Sequence, residues 1–371
     1  MATLLAPRTT LRALDLSRLG PNWYATVMGT AITGSAAAAL PVRLPGRTAF
    51  AEAVWTLSLL MLAALLAGRA VHLTRHRAQA RRTLLEDPSA AVFYGCPPMA
   101  LLAVGYGALT VGGPLLGGRP ALALDVLLWT TGTAYALLVA AGLPYLMITR
   151  HRLSVLEANP TWLLPVVAPM VSAALGPALI PHLPEGAARQ AMLYGCVAMF
   201  GASLLATLAL LPVVLGGLVH GKLPALVLTP SLFLVLGPLG QSTTAVQKFA
   251  DAVPLALPGG ALPGGGPGAV AVARGLAEVY GVAVMGFALL WLAVALAANL
   301  RALRAEMPFA MTWWAATFPI GTLVTGATGL AGHTGFGGFT GLAVALYLLL
   351  LTTWAVALVR TAAGLRAGRL L

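Results

Sequence analysis

Long apolar stretches that are almost free of charge recur along the chain, and most Lys and Arg residues fall between them. A stretch of ~18 or more such residues is long enough to cross a hydrocarbon core of ~30 Å as a helix. Because lipid cannot satisfy irregular backbone, the pattern predicts an all-α integral membrane protein. Ten transmembrane helices are predicted, at 21–40, 50–71, 93–113, 121–148, 160–181, 189–216, 225–247, 270–300, 309–332 and 339–361.

The ten predicted spans alternate in character. The odd-numbered spans carry prolines and small polar residues, whereas the even-numbered spans are mostly smooth Leu, Ala and Val runs, with exceptions at Pro144 and Pro212. The interrupted stretches are PNWYATVMGT, GCPPM, NPTWLLPVVAP, TPSLFLVLGP and FPIG. This alternation predicts five helical hairpins, each with one interrupted and one smooth helix, and weak internal repeats of this kind are typical of transporters.

The interruptions favour a central path for an anion. A proline inside a helix frees a carbonyl group that lipid cannot satisfy, so these helices are expected to face protein or a water-filled cavity. Exposed N–H groups at a helix break also attract negative charge. The alternative stays open at this point, because Pro and Gly also occur in membrane helices that pack closely without any pore.

Composition and charge agree with a membrane protein. The chain is 59% hydrophobic and 9% charged, whereas ordinary soluble domains carry about 25% charged residues. If the N-terminus is cytoplasmic, 16 of the 22 Lys and Arg residues lie on the cytoplasmic side. Positive loops stay inside, so both termini are expected in the cytoplasm, at a cell membrane. The net charge of +12 then reflects topology, and no nucleic-acid partner is expected.

The charge distribution also sets the expected domain boundaries. Residues 1–20 form a cytoplasmic N-terminal segment, 21–363 a single transmembrane domain, and 364–371 a cytoplasmic C-terminal tail. The Gly- and Pro-rich stretch 248–270 is expected to be a flexible loop on the outer side.

Few charged side chains lie inside the predicted spans. Four lie near span ends on the outer side and are expected to be solvated or to snorkel: Glu52, Asp125, Arg274 and Glu278. Arg274 and Glu278 are four residues apart and can pair on one helix face. With no acid expected at mid-depth, the sequence argues weakly against a proton pump or a cation channel.

Other chemistry is sparse. Cys96 and Cys196 lie in apolar segments and are expected to be buried thiols. His72 and His76 are four residues apart in a basic cytoplasmic loop, but no third metal ligand follows them. We therefore expect no metal, no cofactor and no enzymatic activity.

Four segments together resemble one family: PNWYATVMGTAI at 21–32, LEANPTWLLPVVAPMVSAALG at 156–176, HGKLPALVLTPSLFLVLGPLGQSTTAV at 220–246 and FAMTWWAATFPIGT at 309–322. They are similar to the tellurite-resistance/dicarboxylate transporter family. That family includes malate permeases and sulfite efflux pumps and is related to the plant slow anion channels. The resemblance covers nearly the whole chain and keeps the order of the spans.

The resemblance implies ten helices arranged as five hairpins around a central pore lined by the odd-numbered helices. It also implies a homotrimer with one pore in each subunit, with a small anionic substrate and membrane lipid as the other partners. A phenylalanine on the ninth helix plugs the pore in channel-like members, and the matching position here is Phe318. A ring across a narrow pore blocks hydrated anions sterically and by dewetting.

Further pore-lining residues are expected where small side chains let the backbone approach an anion or where a hydroxyl can donate to it, although packing explains each position equally well. These candidates are Gly29, Thr30, Pro98, Met99, Pro165, Pro169, Ser231, Gly237 and Thr312.

The expected function is transport of small anions across the plasma membrane, either a C4-dicarboxylate such as malate or an oxyanion such as sulfite or tellurite. The alternative is a passive channel for chloride or nitrate, gated by Phe318. A scaffold without transport leaves the alternating prolines unexplained.

Overall fold

A computed structural model of the chain describes residues 19–221, 225–257 and 267–370. Every regular element in this part of the chain is helical, which confirms the all-α prediction. The predicted cytoplasmic segment 1–20 lies almost entirely outside the described residues. The α-helices are α1 (Tyr24–Ala39), α2 (Arg47–Arg75), α3 (Arg77–Glu86), α4 (Pro88–Ala91), α5 (Cys96–Thr110), α6 (Gly113–Leu116), α7 (Gly118–Thr149), α8 (Leu163–Leu175), α9 (Ala187–Gly221), α10 (Leu236–Ala256), α11 (Pro267–Arg304), α12 (Thr317–Thr334) and α13 (Gly337–Arg366).

Among the described residues, eight helices are long and apolar enough to cross a membrane, some of them together with adjoining 3-10 segments. They correspond to the second to eighth and the tenth predicted spans. The first and ninth predicted spans correspond to α1 and α12, which have 16 and 18 residues. Helix α1 rises ~24 Å, and the 3-10 turn Pro21–Trp23 before it adds ~6 Å, so together they reach the thickness of a bilayer core. That α1 and α12 also span the membrane stays a prediction.

Burial divides the long helices into two classes that follow the predicted alternation. In the third, fifth and seventh predicted spans, between 72% and 89% of the most apolar stretch is buried. In the five long helices that follow the interrupted spans, this share is 28% to 33%. Most residues of α1 and α12 are also buried. The interrupted helices therefore lie inside, and the smooth helices present their apolar faces to the surroundings.

The five buried helices contact one another in a closed ring. Helix α1 contacts α5, α5 contacts α8, α8 contacts α10, α10 contacts α12, and α12 contacts α1. The five outer helices are α2, α7, α9, α11 and α13. Each of them contacts the inner helix that precedes it in the chain and also the next inner helix around the ring. These contacts agree with the expected five hairpins, although they do not by themselves fix how the helices cross a membrane.

A 3-10 segment leads into each of the five buried α-helices. These segments are Pro21–Trp23, Val92–Gly95, Pro160–Trp162, Leu226–Val235 and Met311–Ala316. In four of the helices a proline follows within the first turn, at Pro97 and Pro98, Pro165, Pro238 and Pro319. The first N–H groups of an α-helix have no partner within the helix, so a proline costs little there. These prolines therefore mark where 3-10 helix gives way to α-helix, which differs from the expected position inside a continuous helix.

The predicted outer loop 248–270 is wrong at both ends, since α10 reaches Ala256 and α11 begins at Pro267. Helix α10 continues from the membrane span through Lys248 to Ala256, with Pro254 in its last turn. The charges of Lys248 and Asp251 end the apolar stretch without ending the helix, because a helix can extend beyond the bilayer. Residues 258–266, the Gly- and Pro-rich part of this prediction, lie outside the described residues. At the other end of the chain, α13 passes the predicted boundary at 363 and reaches Arg366.

Two further expectations concern individual side chains. Cys96 and Cys196 are buried and free, as predicted. The expectation of a solvated carboxylate is wrong for Asp125, whose exposed fraction is 2%. Its carboxylate packs against Gly105 of α5, where a larger residue would keep the two helices apart.

Candidate functional site: a path along the helix ring

Four cavities follow one another along the inner helices, and neighbouring cavities share lining residues. The mouth cavity, of about 350 Å³, lies beside Lys248, Asp251, Arg274 and His333. It shares Lys248 and Thr244 with the throat cavity of about 110 Å³. The throat cavity is lined by Ile32, Ser35, Ala39, Ala103, Tyr106, Ala174, Leu175, Gln241, Thr244, Lys248, Phe318, Thr325, Thr328 and Gly329.

Two small cavities continue the path beyond the throat. The gate cavity, of about 20 Å³, is lined by Met28, Met99, Leu163, Leu164, Val167, Leu234, Gly237, Phe318 and Pro319. The base cavity, of about 30 Å³, lies next to it and includes polar groups of Asn22, Thr161, Ser231 and Thr312. A water molecule needs ~10–15 Å³, so the gate cavity has room for little more than one water.

Phe318 lines the throat, gate and base cavities. Its side chain is 4% exposed, and Pro319 fixes the backbone immediately after it in the first turn of α12. The aromatic ring therefore stands where the wider part of the path meets the narrowest part.

The gate cavity lies where the 3-10 segments change into α-helices. Its lining residues come from all five buried helices or their leading segments, within about one helical turn of each junction. The five interruptions noted in the sequence thus converge on one narrow level. 3-10 turns are frequent where α-helices begin.

Five of the ten predicted site residues line these cavities. Phe318, Met99 and Gly237 lie at the gate cavity, and Ser231 and Thr312 lie at the base cavity. The Thr312 hydroxyl donates to the carbonyl of Val227. The Ser231 hydroxyl is buried without a hydrogen-bond partner in the described part of the chain.

The other five predicted residues are buried, but they are not among the residues lining these four cavities. A Cβ at Gly29 would overlap the Thr317 hydroxyl, so this glycine lets α1 and α12 approach each other. The Thr30 hydroxyl donates to the Thr26 carbonyl at 2.7 Å and accepts from Trp354 Nε1 at 3.1 Å. Three prolines complete this group: Pro98, Pro165 and Pro169. The structure thus gives Gly29 and Thr30 packing contacts, and the pore-lining role stays a prediction.

Sequence reasoning missed the polar lining on the mouth side of Phe318. Ser35 and Thr328 both line the throat, and each hydroxyl is buried without a hydrogen-bond partner among the described residues. Lys248 is the one charged side chain among the residues that line the throat. The signal for Ser35 and Thr328 was present, since both lie on interrupted spans, but hydropathy does not tell which helix face meets a cavity.

The sequence of these spans matches a known family. The family model described as SLAC1, voltage-dependent anion channel, matches residues 18–362. The chain belongs to this family. It is therefore a multi-pass membrane protein of a family of anion channels and transporters, which agrees with the resemblance noted above.

Individual relatives cover most of the chain. Sulfite efflux pumps of Arthroderma otae and Trichophyton rubrum are each 26% identical over 317 residues, which is 85% of this chain and 82% of theirs. An uncharacterized transporter of Methanocaldococcus jannaschii is 24% identical over 343 residues, or 92% of either chain. These relatives support anion transport across a membrane.

Proposed function

We propose that this chain moves a small oxyanion with a single charged centre, of the sulfite kind, across the plasma membrane through the path along its helix ring. The observation that carries the proposal is the lining of the throat cavity, where neutral hydroxyl groups and one cation meet the ring of Phe318. Neutral donors bind an anion weakly enough to let it leave again, which conduction requires. Sulfite efflux by relatives that cover most of the chain supports the same substrate class.

The charge of the throat favours this class over a C4-dicarboxylate. A dicarboxylate carries a charge at each end and needs a cationic or strongly donating group for both. The residues that line the throat offer one cation, Lys248, and the others are apolar or carry neutral polar groups such as those of Tyr106 and Gln241. An isolated charge without a partner in such a place is costly. We therefore place sulfite before malate among the candidate substrates.

The proposal includes Phe318 as the gate. Its ring lines the cavities on both sides of the narrowest level, and the gate cavity beside it has room for little more than one water. A hydrated anion must then lose its water shell or wait for the ring to move.

Reconstitution into liposomes tests the function. Purified protein is reconstituted, and influx of sulfite, malate and chloride is measured separately under an imposed membrane potential and under an imposed pH gradient. We expect sulfite influx well above that of protein-free liposomes and above that of malate. Malate flux equal to or greater than sulfite flux would remove the substrate assignment.

The same experiment separates a coupled carrier from a passive channel. Flux that follows the membrane potential alone, with no response to a pH gradient, identifies a channel. Accumulation of sulfite against its electrochemical gradient when only a pH gradient is imposed identifies a carrier.

The proposal also includes cytoplasmic termini and a homotrimer. The apolar faces of the outer helices, including Leu138, Ile148, Leu205 and Val279, are exposed in the single chain and require lipid or a neighbouring subunit. Reporter fusions at both termini test the topology, and the molar mass of the detergent-solubilised protein, after subtraction of the detergent, tests the trimer.

A further inference from the structure

We infer that the throat cavity is a binding site for a resting anion, in which the hydroxyl groups of Ser35 and Thr328 and the ammonium group of Lys248 hold a small inorganic oxyanion against the closed gate. This inference rests on the proposed function for its role in transport. The binding site itself can be tested without any transport measurement.

The hydroxyl groups are the first reason. Helix α12 contains five threonines, and four of them donate to a carbonyl three or four residues earlier: Thr317, Thr322, Thr325 and Thr334. Thr328 is the exception, because its buried hydroxyl has no partner among the described residues. The same holds for Ser35, which is 7% exposed, whereas Thr33 on the same helix donates to the Gly29 carbonyl. Both residues line one cavity.

An unpartnered buried hydroxyl is unusual, because the free energy of desolvation is not recovered. Membrane helices normally solve this with a bond to the preceding turn, as most hydroxyls of α12 do. Ser35 of α1 and Thr328 of α12 both line this cavity of about 110 Å³, so rotation of either side chain brings its hydroxyl to an occupant that accepts hydrogen bonds. Water fits this description, and so does an anion.

The charge at the mouth side selects the anion. Lys248 lines both the throat and the mouth cavity, and Arg274 lines the mouth cavity beyond it. Within the described residues, no carboxylate lies within ion-pair distance of either cation. The carboxylate of Asp251 also lines the mouth cavity, where its Oδ1 is 2.9 Å from His333 Nε2. The adjoining stretch 258–266 contains no acidic residue in its sequence. The two cations outnumber the one carboxylate at the mouth, so the potential on this side of the throat favours an anion.

The lining of the throat cavity completes the assignment. The residues that line the throat include one cation, Lys248, and apolar side chains such as Ile32 and Phe318. The remaining polar groups are neutral and belong to Ser35, Tyr106, Gln241, Thr244, Thr325 and Thr328. An oxyanion with one charged centre can pair with the single cation and accept from neutral donors, whereas a dicarboxylate would leave its second charge without a cation. The ring of Phe318 forms the far wall, so the bound anion lies directly before the gate.

Calorimetric titration of the detergent-purified full chain with sodium sulfite, and separately with sodium chloride, tests the site. Ionic strength is held constant with gluconate. We expect Lys248→Gln to weaken sulfite binding about tenfold or more, since a hydrogen bond to a charged group is lost together with the charge. Ser35→Ala and Thr328→Val are each expected to weaken binding several-fold, and Lys248→Arg to retain most of it.

Two control variants separate the site from general effects. Arg43→Gln removes a cation from an exposed position outside the four cavities, and Thr352→Val removes a hydroxyl from the exposed face of α13. Both are expected to bind sulfite as the unchanged protein does. A symmetrical size-exclusion peak and an unchanged circular dichroism spectrum show that each variant is folded.

The outcomes are distinct from those of the transport assay. Sulfite binding that depends on Lys248, Ser35 and Thr328, in a protein that gives no flux in liposomes, supports the site and removes the proposed function. Sulfite flux with no measurable binding of sulfite or chloride overturns the site and leaves the function. Folded Lys248→Gln that binds sulfite like the unchanged protein, or Arg43→Gln that loses binding equally, also overturns the site.

Discussion

Replacement of Phe318 by alanine tests the central geometric feature of the path. The substitution removes the ring that separates the throat cavity of about 110 Å³ from the gate and base cavities of about 20 and 30 Å³. Without the ring, the three cavities join, and an anion can keep part of its water shell across the narrow level. A rise in conductance of about tenfold corresponds to a barrier that is ~1.4 kcal/mol lower, which a partly retained hydration shell readily supplies. We expect at least this increase.

The substitution also has a structural cost. Removal of a buried aromatic ring typically costs ~3–5 kcal/mol of stability, because the cavity it leaves is filled only partly. Phe318→Leu keeps more of the volume and is expected to give a smaller increase in conductance at a smaller loss of stability. Phe233→Ala is the matched control, since Phe233 is equally buried at 4% exposure but lines a different, apolar groove near Leu296 and Val356.

Single-channel or macroscopic currents in planar bilayers, normalised to the amount of reconstituted protein, give the comparison. A folded Phe318→Ala protein with the conductance of the unchanged chain would refute Phe318 as the gate. An equal rise in Phe233→Ala would show that general loosening of the bundle, and not the removal of a plug, increases conductance.

Three further predictions concern the ring and the path. Gly240→Ala is expected to lower the melting temperature clearly, because the new Cβ would overlap the backbone of α12 at Thr322. Gly142 faces open space, so Gly142→Ala is expected to change the melting temperature little. Both variants are measured by thermal unfolding in detergent. Trp55→Phe is expected to lose about 1 kcal/mol of stability in the same assay, because Trp55 Nε1 donates to the Val104 carbonyl at 3.1 Å. Ser231→Ala is expected to leave stability unchanged and to reduce sulfite flux in liposomes several-fold, because Ser231 lines the base cavity and its hydroxyl has no partner among the described residues. Unchanged flux would remove Ser231 from the path.

The sequence predicted the division into buried and exposed helices because proline and small polar residues carry that information directly. Stretches such as TPSLFLVLGP and NPTWLLPVVAP would leave polar backbone against lipid, so their burial follows from the chemistry of the bilayer. What the prolines do locally was not predictable in the same way. Proline excludes an internal α-helical hydrogen bond, and both a bend and a change from 3-10 to α-helix satisfy that condition. The structure has the second at each of the five buried helices.

The polar lining of the throat was less accessible to sequence reasoning. Lys248 follows the last apolar residues of a span and therefore looked like the start of a loop, although α10 carries it onward as part of a helix. The threonines of α12 are spread around a helix that is buried on nearly all sides. Amphipathic periodicity identifies the buried face of a surface helix, but it does not show which face of a fully buried helix lines a cavity. Only the hydrogen bonds separate Thr328 from its neighbours.

The separation of charge and gate along the path has a physical reason. A lysine at the level of Phe318 would be costly to bury in the middle of a bilayer and would hold an anion too firmly to release it. Lys248 stands at the boundary of the throat and mouth cavities, where solvent reaches it and its field still extends inward. The hydroxyls of Ser35 and Thr328 lie beyond it and are weaker donors without charge. In the proposed path, attraction at the mouth, moderate binding in the throat and an apolar barrier at Phe318 would act in succession, so that selectivity for anions would not require a charge at the narrowest point.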